Sequence, residues 1–195
     1  MKAALIFQWP EMPVLPPPEQ PVLIRVATTT QSRSAARQEL RAVLRATLAA
    51  WSKLLPEQLP LRETAAGPVW PESFGGQALD ISLSYAGAEG WIGLLRGGWI
   101  GVDVMQIQRV AEAEAVAQNF LEADELETIQ QSTDPALAFA TAWTSLEARL
   151  KCFKQPLRES SASTGGRLGK KHATENLLQP NHFMVTVATA ARLPG

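Results

Sequence analysis

The sequence predicts an α+β protein built of two similar-sized lobes, and two observations carry that expectation. Strand-like and helix-like segments are mixed in both halves of the chain, in similar order on either side of a break near Gly97-Gly98. The 195 residues, 46% of them hydrophobic, suit one large domain or two of roughly 100 residues each, with enough apolar material for a real core. No sequence repeat accompanies the similarity. Any symmetry between the lobes, 1–97 and 98–195, is therefore structural only.

Residues 11–20 hold four prolines, which cannot donate to a helix or sheet ladder, so this stretch reads as an extended connector. Pro21–Thr29 is rich in β-branched residues and reads as a strand. Ser34 is placed to cap a helix from Ala35 to about Lys53, in which Leu40, Val43, Leu44, Thr47, Leu48 and Trp51 recur at helical spacing. Leu54–Gly76, punctuated by Pro and Gly, reads as loop with short strands. Ala78–Ser84, Trp91–Leu95 and Trp99–Val104 are three further strands. Helical stretches cover about Ala111–Gln131 and Pro135–Phe153. The polar segment from Gln155 to Asn181 reads as a flexible loop, and His182–Ala190 as a closing alternating strand.

Composition excludes several function classes. With 18 basic against 19 acidic residues the net charge is −1, without the basic excess of a general nucleic-acid binder. The one cysteine, Cys152, excludes an intramolecular disulfide and a multi-cysteine zinc site, and it fits a reducing cytosol. Met1–Pro10 is too short for a signal peptide, and no run of about 18 apolar residues occurs to span a bilayer. The expectation is a soluble, cytoplasmic protein.

Two acids stand out. Asp103 is embedded in Ile100-Gly101-Val102-Asp103-Val104, among residues that favour burial, and a buried carboxylate is costly unless paired or bound to a metal. Either strand alternation turns it to solvent, or it belongs to a metal or phosphate site at a strand end. Glu147 lies on one helical stripe with Trp143 and Lys151. Its two readings are an ordinary surface ion pair with Lys151 and a member of a site.

Taken together, the G-V-D strand, an intervening stretch holding Phe120 and Glu125, and W-x-x-x-E-A-x-x-K at 143–151 resemble the Sfp-type 4′-phosphopantetheinyl transferases. That family carries (V/I)-G-(V/I)-D-x-E followed by W-x-x-K-E-(A/S)-x-x-K. Asp80-Ile81-Ser82-Leu83-Ser84 stands where the family has an F-N-x-S-H-S strand, and Ala66-Gly67-Pro68 where it often has G-K-P. The arginine-rich first helix matches in position, and the resemblance spans about residues 30–190. It implies two lobes related by pseudo-twofold symmetry, with coenzyme A in the cleft between them, and a monomer. It also implies Mg²⁺-dependent transfer of the phosphopantetheine arm to a serine of an acyl or peptidyl carrier protein.

By this resemblance Asp103 and Glu147 are the metal carboxylates, Glu147 also taking the serine proton, and Lys151 neutralises phosphate charge. Ser82 hydrogen-bonds coenzyme A, while Arg33, Arg37 and Arg62 grip the nucleotide and its 3′-phosphate. This chain departs from the pattern at Met105, which replaces the second acid of D-x-E, and at three basic positions. Leu83 replaces a histidine, and Leu146 and Gly67 each replace a lysine. Charge-assisted phosphate bonds are worth about 1.5–3 kcal/mol each, so weakened coenzyme A binding is expected unless other basic groups, such as Arg149, Arg167, Lys170 and Lys171, compensate. The alternative is a catalytically impaired member that binds coenzyme A or a carrier protein.

The remaining features read as structural. His172 and His182 lack partners at metal-ligand spacing, Cys152 reads as a packed thiol, and Gly165-Gly166 lacks the setting of a phosphate loop. Most of the six tryptophans belong to the core, with exposed ones near 70–76 or 91–99 available to a partner. Arg33, Arg37, Arg41 and Arg45, four apart, form either a solvated helix face or a surface that steers an acidic carrier protein.

Overall fold

The computed structural model describes residues 2–28, 32–65, 67–157, 172–179 and 181–192. Thr29, Ala66, the 158–171 part of the predicted loop, and with it Gly165-Gly166, Arg167, Lys170 and Lys171, lie outside the described residues. The fold is mixed α+β. Its elements are β1 (Leu5–Gln8), β2 (Val22–Ala27), α1 (Arg33–Ser52), β3 (Arg62–Thr64), β4 (Gly67–Val69), β5 (Ser73–Phe74), β6 (Gln77–Ala86), β7 (Glu89–Arg96), β8 (Gly98–Gln106), α2 (Ala113–Phe120), α3 (Ala123–Gln131), α4 (Pro135–Cys152), β9 (Ala173–Gln179) and β10 (Phe183–Ala191).

One sheet has the order β1-β2-β7-β6-β5, a second β8-β10-β9, and β3-β4 form a two-stranded ribbon. β2, β7 and β6 pair antiparallel, and β1 joins β2 in parallel. The two faces of the first sheet bury different cores. Val22, Ile24, Ile92 and Leu94 pack with Leu40, Leu44 and Leu48 of α1. Leu23, Trp91 and Leu95 pack instead with Ile100, Val102, Val185 and Val187 of the second sheet. Burial on both faces explains why β2 and β7 read as nearly continuous apolar runs rather than as alternating strands.

Several sequence expectations change in the structure. The first helix starts at Arg33 with Ser32, not Ser34, at its N-cap position, and ends where Lys53 turns left-handed. The helical stretch 111–131 is two helices, broken where Leu121 adopts extended backbone. Part of the predicted 155–181 loop is β9, an edge strand whose exposed polar side chains give no alternation signal but whose backbone pairs with β10. The short apolar start of the chain is β1. Trp70 and Trp91, in the regions expected to offer exposed tryptophans, are buried.

α4 is organised at its start by Asp134, whose side chain accepts from the Leu137 amide at 3.1 Å, and by Pro135 at the first turn. It lies on β8 and β10. A Cβ at Gly101 would overlap the carbonyl oxygen of Ala148 and the amide nitrogen of Cys152, so only glycine lets the helix come this close. A buried hydroxyl contact between Thr144 and Thr186, 2.7 Å, fixes the same interface. Thr186 is the cross-strand partner of Asp103.

β6 and β8 run side by side in the same sense without a main-chain ladder. Side chains on alternate residues of β6 replace it. Asp80 Oδ2 accepts from Ile100 N (2.8 Å), Ser82 Oγ from Val102 N (2.9 Å) and Ser84 Oγ from Val104 N (3.2 Å). Each bond satisfies an amide that burial would otherwise strand, and together they join the two sheets at the site described next.

Candidate functional site

A cleft of about 1390 Å³ is lined from both sides of that seam. α1 contributes Arg33 and Arg37, β6 contributes Ser82, β8 contributes Asp103, and α4 contributes Glu147 and Lys151. These four segments, distant in sequence, meet here because α1, the β6–β8 seam and α4 each have one face committed to a core and one edge left open. A smaller cavity of about 440 Å³, sharing Pro68, Ile81 and Lys154 with the cleft, extends past Asp80 toward Trp99 and Arg192.

Strand alternation sends Ile100, Val102 and Val104 into the core and Gly101, Asp103 and Met105 toward α4. Asp103 therefore faces neither bulk solvent nor hydrocarbon. It is 8% exposed, and its Oδ1 accepts from Ser84 Oγ at 2.8 Å and from Lys151 Nζ at 2.6 Å. The same ammonium reaches Ser84 Oγ and the carbonyl oxygen of Val102, each at 3.3 Å. Lys151 thus pairs with Asp103 across the interface, and the helical ion pair with Glu147 that the sequence also allowed does not form.

The Glu147 carboxylate is half-buried and has no hydrogen-bond or ion-pair partner among the described residues. Burial pushes its pKa up, the negative charge of Asp103 pushes it further, and Lys151 only partly opposes them. A half-buried carboxylate raised by the charge of a second one beside it suits a cation. Among the described residues no three His, Cys, Asp or Glu side chains form a metal cage. The hard ion Mg²⁺ nonetheless needs only one or two carboxylates, completing its octahedron with waters and phosphate oxygens, so Asp103 and Glu147 fit it.

A second acid–lysine pair lies one step along the seam. Asp80 Oδ2 accepts from Lys154 Nζ at 3.0 Å as well as from Ile100 N. Burial raises the Asp80 pKa against the pull of Lys154 and that amide. The thiol of Cys152 is pushed up to about 12, mainly by burial, which leaves it unreactive.

Of the predicted nucleotide-binding arginines, the structure brings Arg33 and Arg37 into the cleft, Arg37 lying 5.8 Å from the Tyr85 ring centre. Arg62 sits on the exposed ribbon strand β3 and is not among the cleft residues, so it is not brought together with the other two. Arg41 is held by both oxygens of Glu63, at 2.8 and 2.9 Å, and Arg45 donates to the Pro56 carbonyl. Of the arginine row, Arg33, Arg37 and Arg41 line the cleft, Arg41 already paired with Glu63, and Arg45 does not.

The departures from the resemblance fall in different places. Leu83 and Met105 line the cleft, and Met105 also packs with the apolar cluster of α2, α3 and α4. Leu146 is turned into that cluster. Gly67 lines the cleft at φ +117, a conformation that L side chains rarely adopt, so this backbone does not accept a lysine there. Arg149, named as a compensating base, donates to Glu125 at 3.3 Å.

Ser84 and Lys154 were not singled out as site residues from the sequence. The signal for Ser84 was present, since polar residues at 80, 82 and 84 in an apolar strand mark one face. Lys154 lies beyond the end of α4 at φ 55, and no local pattern announces its reach to Asp80.

Residues 100–178, from β8 through α4 into β9, match the family model of the 4′-phosphopantetheinyl transferase superfamily. This stretch, less than half of the chain, is similar to a domain of that superfamily. The matched stretch contains Asp103, Glu147 and Lys151. Comparison with curated proteins gives no match. Among the described residues no helix is long and apolar enough to cross a membrane.

Proposed function

We propose that this stretch, residues 100–178, works with the N-terminal half of the chain as an Sfp-type phosphopantetheinyl transferase. It transfers the 4′-phosphopantetheine group of coenzyme A to a serine of an acyl or peptidyl carrier protein, as a cytoplasmic monomer. The observation that carries this reading is the cluster of Asp103, Glu147 and Lys151 in a cleft that also holds Arg33 and Arg37. In this reading the chain divides near Gly97 into two lobes related by pseudo-twofold symmetry, and the cleft is composite.

Arg33 and Arg37 hold the nucleotide end, where guanidinium forks match phosphate oxygens. The hydroxyl proton of Ser82, whose oxygen is already engaged by Val102 N in mid-strand, is available to coenzyme A in the cleft. Asp103 and Glu147 would hold Mg²⁺, which supplies charge neutralisation at the diphosphate. Lys151 adds a point charge beside it. The carrier serine oxygen forms a bond to the pantetheine-side phosphorus as the phosphorus–oxygen bond to the nucleotide breaks. Its proton passes to the Glu147 carboxylate, and adenosine 3′,5′-bisphosphate departs with the bridging oxygen. Burial and the charge of Asp103 raise the Glu147 pKa, which favours proton uptake by this carboxylate.

A second reading, a coenzyme A- or carrier-binding protein with impaired transfer, draws on Leu83, Met105 and Gly67, which leave part of the cleft wall without charge. One assay separates the two. The protein is incubated with coenzyme A, Mg²⁺ and a panel of apo carrier proteins, and carrier mass is read. A gain of one phosphopantetheine arm, lost with chelator and with Asp103→Asn or Glu147→Gln, supports the enzyme. Coenzyme A binding with no gain on any carrier supports the binding protein.

A further inference from the structure

Lys151 occupies a seat built for a cation. Its ammonium has three donors and no acceptor. Three oxygens receive it: the Asp103 carboxylate at 2.6 Å, and the Ser84 hydroxyl and Val102 carbonyl at 3.3 Å each. Carboxylate, hydroxyl and carbonyl oxygens are also what a hard divalent ion selects. One helical turn back, Glu147 faces the same cleft with its carboxylate unpaired among the described residues. The acid pair is thus half-neutralised by the protein itself.

We infer that Lys151 is a tethered counter-ion of Asp103 in the ligand-free protein, and that a divalent cation enters the site by displacing it. The inference rests on the assignment of Asp103 and Glu147 as metal carboxylates and adds an exchange to it. Oδ1 already accepts from both Ser84 and Lys151, and a doubly charged ion on the same carboxylate repels an ammonium held 2.6 Å from it. Lys151 has somewhere to go: its side chain is 32% exposed and borders the open cleft. A four-carbon stem lets the ammonium swing without moving α4. An anionic diphosphate in the cleft would receive the displaced ammonium, so metal and coenzyme A each make room for the other. The free protein then binds metal weakly, and coenzyme A strengthens that binding.

Mn²⁺ serves as the probe, its binding followed by electron paramagnetic resonance without coenzyme A. Lys151→Gln keeps a hydrogen-bond donor toward Asp103 and removes the competing charge. It is expected to bind Mn²⁺ at least tenfold more tightly than the wild type. In the wild type, acetylation of lysines read by mass spectrometry should show Lys151 several-fold more reactive once Mg²⁺ is added. Equal or weaker Mn²⁺ binding by Lys151→Gln, or unchanged Lys151 reactivity at saturating Mg²⁺, overturns the exchange while leaving the metal assignment standing. Absence of Mn²⁺ binding by both proteins at millimolar metal, with and without coenzyme A, overturns the metal assignment and the exchange together.

Discussion

Gly101 of β8 lies against Ala148 of α4 so closely that a Cβ at position 101 would overlap the Ala148 carbonyl oxygen. This contact sets the height of α4 over the strand two residues before Asp103, and so the reach of Lys151 to it. The neighbour is helix backbone, which cannot step aside as a side chain does. Gly101→Ala should therefore cost about 3 kcal/mol, the upper end for overpacking. The measurement is the midpoint of urea unfolding by circular dichroism, and a midpoint within experimental error of wild type would contradict it.

Glu147 is held in an environment that disfavours its charge, and the consequence for stability has a definite sign. Its folded-state pKa is raised, so the folded protein binds this proton more tightly than the unfolded chain does. Stability from this group is present below the ordinary carboxylate pKa and is lost as pH rises through the folded value. Above that value the ionised side chain destabilises the ligand-free protein. Glu147→Gln, close to isosteric, should melt a few degrees higher than wild type at pH 7–8. The gain should shrink toward zero as pH falls to about 4. Added Mg²⁺ should raise the melting temperature of the wild type and not of the variant.

The seam between β6 and β8 yields a separate expectation for Ser82. Ser82→Ala leaves the buried amide of Val102 without an acceptor, which should cost about 1–3 kcal/mol. Chemical denaturation reads that loss. If the hydroxyl proton also serves coenzyme A, KM for coenzyme A rises with it. A destabilised protein with unchanged KM would confine Ser82 to the scaffold.

The arginines divide by position. Arg33→Ala and Arg37→Ala should each weaken coenzyme A binding about tenfold, the loss of one charge-assisted bond of about 1.5 kcal/mol. Arg62→Ala, on the exposed β3, should leave it unchanged. Isothermal titration with coenzyme A decides, and an equal loss for all three would mean that Arg62 reaches the ligand.

The acids at the centre of the candidate site were legible because each breaks a local pattern: Asp103 interrupts an apolar strand, and Glu147 shares a helical stripe with Trp143 and Lys151. The resemblance built on them met the superfamily match over residues 100–178. β9 was missed because an exposed edge strand with polar side chains has no hydrophobic period and is made by backbone pairing to β10. The split of 111–131 was missed because both helices share one apolar face and differ only in the backbone turn at Leu121.

Local sequence thus determined which segments are helices and strands through most of the chain, and which residues carry unusual chemistry, since periodicity and misplaced charge are properties of neighbours along the chain. Only the tertiary structure decided who partners whom. Lys151 could have paired with Glu147 four residues away, and it pairs instead with Asp103, 48 residues away. Asp80, Ser82 and Ser84 became a substitute strand edge for β8. The Lys151–Asp103 pairing depends on the separation of α4 and β8, which the missing side chain of Gly101 sets through packing that no local pattern encodes.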